Sequence, residues 1–203
     1  NQALKTNSFY FTMWNVVDTK NNKIDHNALS ITMKISDSKI YPYGQFMASA
    51  HQVGLSLKIY QHVVDMLFTS PDTLQHNKKY TLRLSYEYLH EKDTYQTLLN
   101  LCQKYAKDMP FKLIVEIPEK LIRQNPQHIK LYKELFEKYD IEMSIFEFMG
   151  ENTDYHYLQD MRPLYIKADA SYFTNQNKQA ISSLKLITDT LDITLVATSV
   201  MDA

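Results

Sequence analysis

The sequence predicts an α/β fold of the TIM-like (β/α)8 barrel type, with an N-terminal hairpin in front of it. Three observations carry this. Two β-like runs at the start are joined by a short polar turn. From residue 79 onward, strand-like and helix-like segments take strict turns. That alternation means parallel strands joined by crossover helices. The series then stops one helix and one strand short of closure, so the predicted barrel lacks its last helix and strand.

The elements follow in order. "FYFTMWNVVD" (9–18) is aromatic and β-branched, and predicts a strand. "KNNK" is a turn. "ALSITMKI" (28–35) alternates and predicts the partner strand. "YGQFMASAHQVG" (43–54) reads as a short helix closed by Gly54. In "LSLKIYQHVVDMLF" (55–68), Leu55, Ile59, Val63 and Leu67 share one helical face. Then come the alternating pairs. "KYTLRLSY" is a strand and "TYQTLLNLCQKYAKDM" a helix; "FKLIVEIP" is a strand and "PQHIKLYKELFEKYD" a helix. "IEMSIFEF" is a strand before the short helix "DYHYLQDM"; "LYIKADAS" is a strand, "NKQAISSLKLITDTLD" a helix and "ITLVATSV" a strand.

Composition narrows the function classes. The 203 residues are 44% hydrophobic and 22% charged, with no Pro/Gly/Ser-rich linker, which predicts a single domain over 1–203. A formal net charge of -1, with cations spread along the chain, argues against nucleic acid or a membrane surface as partner. Cys102 is the only cysteine, so no intrachain disulfide forms; this fits a reducing, cytoplasmic setting. There is no run of roughly 18 apolar residues and no signal-peptide core. The missing initial Met points to a fragment of a longer chain. With three glycines, no phosphate-cradling or dinucleotide loop can be built.

In such barrels the chemistry sits at the C-terminal ends of the strands. Those ends offer Arg83 and Ser85, Glu116 and Glu119, Glu147, Lys167 and Asp169, and Thr198 and Ser199. Each one alone is at home on a polar barrel rim; several gathered together make a site. The seven histidines are scattered, without HExxH or CxxC spacing, and predict no metal site. Cys102 reads as a packed thiol in an apolar helix face. "PLYIKADASYF" (163–173) poses a sharper question. Lys167 and Asp169 sit two apart, on one face of a buried strand.

Read in order, these segments resemble the EAL domain, the cyclic di-GMP phosphodiesterase family. "VVDTKNNKIDHNAL" resembles its opening hairpin with the Glu-Ala-Leu signature, here Asn27-Ala28-Leu29. "GQFMASAHQVGL" resembles its Phe-Ile-Pro-Leu-Ala-Glu segment, "LRLS" its Val-Asn-Leu-Ser and "IVEIPE" its Glu-Ile-Thr-Glu strand. "IFEFMGE" sits where the family has Leu-Asp-Asp-Phe-Gly-Thr-Gly, "PLYIKAD" matches Asp-Tyr-Leu-Lys-Ile-Asp, and "LVATSVM" sits at Ala-Glu-Gly-Val-Glu. The match covers nearly the whole chain in order and spacing.

The resemblance implies a water held between divalent metals, which needs clustered oxygen ligands. It places Asn27 at the signature Glu, Arg83 at a metal-binding Asn, and Phe146 and Glu147 at an Asp-Asp pair. It places Thr198 and Met201 at two further Glu positions. Glu116 and Lys167 remain, and Lys167 is expected to pair with Glu116 or Glu147. The expectation is therefore a catalytically inactive EAL-like domain without metal or cofactor. It would act as a protein-interaction or regulatory module for a protein partner, a neighbouring signalling domain or a second copy. Phe146, Met149 and Met201 would fill the mouth. Two alternatives stand beside this: a non-hydrolysing cyclic di-GMP receptor, with Lys34 or Arg83 as phosphate contact, and a residual phosphodiesterase.

Overall fold

The structure is a computed structural model that describes residues 8–150, 155–175 and 178–200. The chain divides into two compact units, Asn1–Leu113 and Ile114–Ala203.

The first unit is built on the hairpin. Strand β1 (Phe9–Asp18) pairs antiparallel with β2 (Lys23–Ser36). The turn between them is closed by Asp18, whose carboxylate accepts from Lys20 N at 2.9 Å and Asn21 Nδ2 at 2.6 Å. β2 also pairs with a short third strand, β3 (Lys39–Pro42), and in parallel with β4 (Lys79–Arg83). Side chains alternate across a strand, and register partners share a face. The pairs Asn27 with Tyr80 and Ala28 with Thr81 therefore sort the whole sheet. One face carries Phe9, Leu29, Ile31, Tyr80 and Leu82, all buried. Helices α1 (Tyr43–Gln52) and α2 (Ser56–Thr69) cover it, with Phe9 5.8 Å from the Phe46 ring and 5.7 Å from the His62 ring. The other face carries Thr12, Trp14, Ala28, Ser30, Thr81 and Arg83.

In α2, the predicted stripe of Ile59, Val63 and Leu67 is buried. Each such side chain contributes roughly 1.5–3 kcal/mol by leaving water. The predicted strand over 79–86 stops at Arg83, because Ser85 caps a helix instead. Its Oγ accepts from Tyr88 N at 3.1 Å and opens α3 (Tyr86–His90). Helix α4 (Thr94–Tyr105) then buries Leu98 and Cys102.

The second unit is a parallel sheet of β5 (Lys112–Pro118), β6 (Glu142–Phe146), β7 (Tyr165–Asp169) and β8 (Thr194–Thr198). β5 begins in the last residues of the first unit. Between these strands run α5 (Glu119–Gln124), α6 (Pro126–Lys138), α7 (His156–Met161), α8 (Ala170–Asn175) and α9 (Lys178–Leu191). In α6, Pro126 takes the first turn, where its missing N–H costs nothing, and Ile129, Tyr132, Leu135 and Phe136 form the buried stripe. β6 ends at Phe146 because Glu147 turns left-handed, with φ 52°. The sequence does not predict β3, α5 or α8. Each has four to six residues, too short for a period to show.

Gly150 stands at φ 60°, and a Cβ there would lie 2.5 Å from Tyr172 Oη. Gly150→Ala is expected to lose about 1–3 kcal/mol of stability through the left-handed backbone alone, before the clash is relieved. Gly44 serves as control, since a Cβ added there would meet nothing within 4 Å. Thermal unfolding should show Gly44→Ala at or above the parent midpoint and Gly150→Ala clearly below it. Equal midpoints would remove this account of the Gly150 turn.

Candidate functional site

The strand ends of the second unit gather most of the predicted site residues on one face. Glu116 is paired with Ser144, and Pro118 with Phe146. Ile145 and Ile166 share the opposite face, which puts Phe146 with Lys167. Lys167 is level with Val196, and Asp169 with Thr198. So Glu116, Phe146, Lys167, Asp169 and Thr198 face one way. The reason is the period of two that the sequence already carried.

Lys167 and Glu116 form an ion pair, Nζ to Oε1 2.5 Å. Lys167 is 2% exposed and Glu116 1%. Charges so buried persist only when paired, since each alone would cost several kcal/mol of lost hydration. The ammonium also lies 5.7 Å from the Tyr165 ring centroid. Of the two expected partners, Glu116 is the one the structure shows. Phe146 is buried beside them on the same face.

Asp169 shares the face but not the environment. It is exposed, and its Oδ1 accepts from Ser171 N at 2.9 Å and Ser171 Oγ at 2.6 Å, which caps α8. The Ser171 hydroxyl and amide, with the Ser199 hydroxyl behind them, hold its carboxyl below the usual aspartate value of 3.8. The lysine and aspartate of "PLYIKAD" thus have separate tasks: one pairs a buried carboxylate, the other starts a helix. Thr198 Oγ1 donates to Ala168 O at 3.2 Å.

The turn after β6 is held by a residue that the sequence placed only at a strand end. Glu119, 2% exposed, opens α5. Its Oε2 accepts from Met149 N at 2.7 Å and Gly150 N at 3.3 Å. Its Oε1 accepts from Tyr157 Oη at 2.7 Å, with Arg123 Nη1 at 3.6 Å. Burial first, and the Glu119 carboxylate second, push the Tyr157 phenol upward, so it stays a donor. Phe148 N donates to Lys167 O at 3.1 Å, and its ring stacks on Tyr155 at 6.1 Å. Glu147 is exposed on this turn, and Met149 is 61% exposed, so Met149 fills nothing. The one hint in the sequence was an acidic residue just after a proline, where a helix starts.

In the first unit, Arg83 is exposed at the last position of β4. Asn27 does not share its face. It lies on the face covered by α1 and α2, and its Nδ2 donates to Asn15 Oδ1 at 2.8 Å. The neighbouring side chains His26 and Ala28 take the polar face. A bulge at Val16/Val17 makes Asp25 the additional residue of β2, and Asp25 Oδ2 holds His26 Nδ1 at 2.8 Å. Met201 lies outside the described residues. Cys102 is buried, and burial pushes its thiol up to about 12, as a packed thiol requires. Among the described residues, no three of His, Cys, Asp and Glu gather into a group that could hold a metal. No described helix is long and apolar enough to cross a membrane.

Parallel strands joined by helices, with charged groups collected at strand ends, define a protein of the TIM-like α/β class. The chain belongs to the EAL domain family, whose model matches residues 1–203. Similar solved structures show the same fold. The S helix-GGDEF-EAL region of Vibrio cholerae LapD, bound to c-di-GMP, has a TM-score of 0.80 at 17% identity, over 99% of this chain and 50% of that one. The PaMucR phosphodiesterase in its c-di-GMP complex gives 0.75 at 17%, over 99% and 85%. The Xanthomonas citri FimX EAL domain in complex with c-di-GMP gives 0.73 at 14%, over 100% and 81%. This chain spans about half the length of the LapD chain. No curated protein matches it.

Two outcomes follow for these residues. Lys167→Met leaves Glu116 buried without its cation and should cost about 3–5 kcal/mol in denaturant unfolding, most of it recovered by adding Glu116→Gln. A single variant as stable as the parent would show the pair to be solvated. Asp169 has a lowered folded pKa, so its cap is complete above the unfolded value of 3.8 and is lost as pH falls through the folded one. Amide exchange in α8 should therefore stay flat from neutral pH down to the ordinary aspartate range and rise only below it. A rise that already starts near neutral pH would contradict this.

Proposed function

We propose that this EAL domain does not hydrolyse phosphodiesters and serves as a regulatory interaction module in bacterial cyclic di-GMP signalling, in a cytoplasmic setting. The buried Lys167–Glu116 pair carries the reading. Metal-assisted hydrolysis needs hard cations held by several oxygen ligands. On the strand-end face of the second unit, Glu116 already neutralises an ammonium, Phe146 offers only carbon, and Asp169 is occupied in capping α8. In the first unit, Arg83 adds a cation rather than a ligand, and Asn27 faces the helices. This donor set does not fit a divalent metal pair. The scaffold then serves a protein partner, a neighbouring signalling domain or a second copy of the chain, since fold and chemistry separate readily.

A second reading has its own support. LapD, PaMucR and FimX are each described in complex with c-di-GMP, and Arg83 is an exposed cation suited to a phosphate. The domain would then be a non-hydrolysing receptor.

One mixture separates these readings. The chain is incubated with cyclic di-GMP and Mg²⁺ or Mn²⁺, and the nucleotides are resolved by chromatography while a parallel sample is titrated in a calorimeter. The expected result is intact cyclic dinucleotide. A linear dinucleotide product at a rate proportional to protein would overturn the proposal and leave a residual phosphodiesterase. Heat without product would favour the receptor; neither heat nor product would favour the interaction module.

A further inference from the structure

The hairpin register assembles a second group of side chains that the strand-end pair does not use. On the face of the first sheet turned away from α1 and α2, Trp14, Ala28 and Thr81 form one row across β1, β2 and β4. Two residues further along, Thr12, Ser30 and Arg83 form the next. Trp14 is 69% exposed, and Arg83 is exposed as well. Small residues lie between them, Ala28 and Ser30, so the floor is low. Standard strand spacing and rise put the Cα atoms of Trp14 and Arg83 about 12 Å apart, with two long side chains to close the gap. Across these two rows the face carries no carboxylate.

An exposed indole is costly in water and offers an aromatic ring a stacking surface. A guanidinium grips a phosphate with two parallel hydrogen bonds. A low, uncharged floor between them accepts a sugar, with the Ser30 hydroxyl as a polar contact. We infer that this face binds a purine nucleotide, with the base on Trp14 and the phosphate at Arg83, without a metal ion. The inference rests on the receptor reading and narrows it to particular side chains. It also explains why Trp14 stays exposed on a strand whose other aromatic residues, Phe9, Tyr10 and Phe11, are buried or half-buried.

Trp14 is the only tryptophan of the chain, so its fluorescence reports this face alone. The whole chain is titrated with cyclic di-GMP and with guanosine monophosphate in the presence of a metal chelator. Fluorescence and heat are followed together. Saturable quenching of Trp14 is expected, with the same midpoint as the heat. Trp14→Ala should weaken calorimetric binding about tenfold or more, while Trp14→Phe keeps most of it. Arg83→Ala should weaken binding and flatten its salt dependence. Both side chains are exposed, so unchanged melting curves will show that the variants are folded. Heat with an unchanged Trp14 signal would place the nucleotide elsewhere, overturning this inference while the receptor reading stands. Neither heat nor quenching would overturn both. Quenching with full affinity in Arg83→Ala would remove the phosphate from Arg83 and overturn the assignment.

Discussion

A buried ammonium must have an anion beside it, and that constraint organises the second unit. Lys167 lies in the middle of β7, below the surface, with Glu116 of β5 as its counter-charge. Two strands and the turn after β6 are tied to this pair, because the Lys167 carbonyl also receives the Phe148 amide. The pair stabilises little in absolute terms, since desolvation offsets much of the attraction. Its effect is to specify one arrangement. Any shift of β7 against β5 would leave a charge stranded, and the cost of that is what holds the strand ends in place.

Glu119 applies the same physics to the loop that follows. A carboxylate almost out of water gathers two backbone amides and a phenol, with a guanidinium close by. Each of these donors is itself withdrawn from solvent and needs an acceptor. The turn through Glu147 and Gly150 is therefore fixed from below by one side chain and from above by the ring of Tyr172 against Gly150. Two buried carboxylates three residues apart, Glu116 and Glu119, serve different ends. The strand-to-helix change at Pro118 turns their side chains toward different neighbours.

The contrast with a metal centre is one of donor chemistry. Carboxylates that are matched to ammonium, amide and phenol protons have their lone pairs in use. The strand-end face of the second unit carries a cation, a phenyl ring and a helix cap in place of free oxygen ligands. The open polar face of the first unit has the opposite character, with an indole, a guanidinium and hydroxyls, and it favours an anionic aromatic ligand over a cation.

Much of this was legible in the sequence. The hairpin, the alternation of strands and helices, and the amphipathic stripes of α2 and α6 follow from periodicity, which is a local property. Ordered motifs pointed to the EAL family, and the parity of Lys167 and Asp169 set them on one face. What local order could not determine was partnership. Whether Lys167 met Glu116 or Glu147 depended on Glu147 turning left-handed out of the strand. The role of Glu119 depended on amides 30 residues away. The side of the sheet taken by Asn27 depended on a one-residue bulge and on its pairing with Tyr80 of another strand. A strand's sequence determines that its side chains alternate. Only tertiary pairing decides which alternate faces the helices, because one slipped residue exchanges the two faces without changing the pattern.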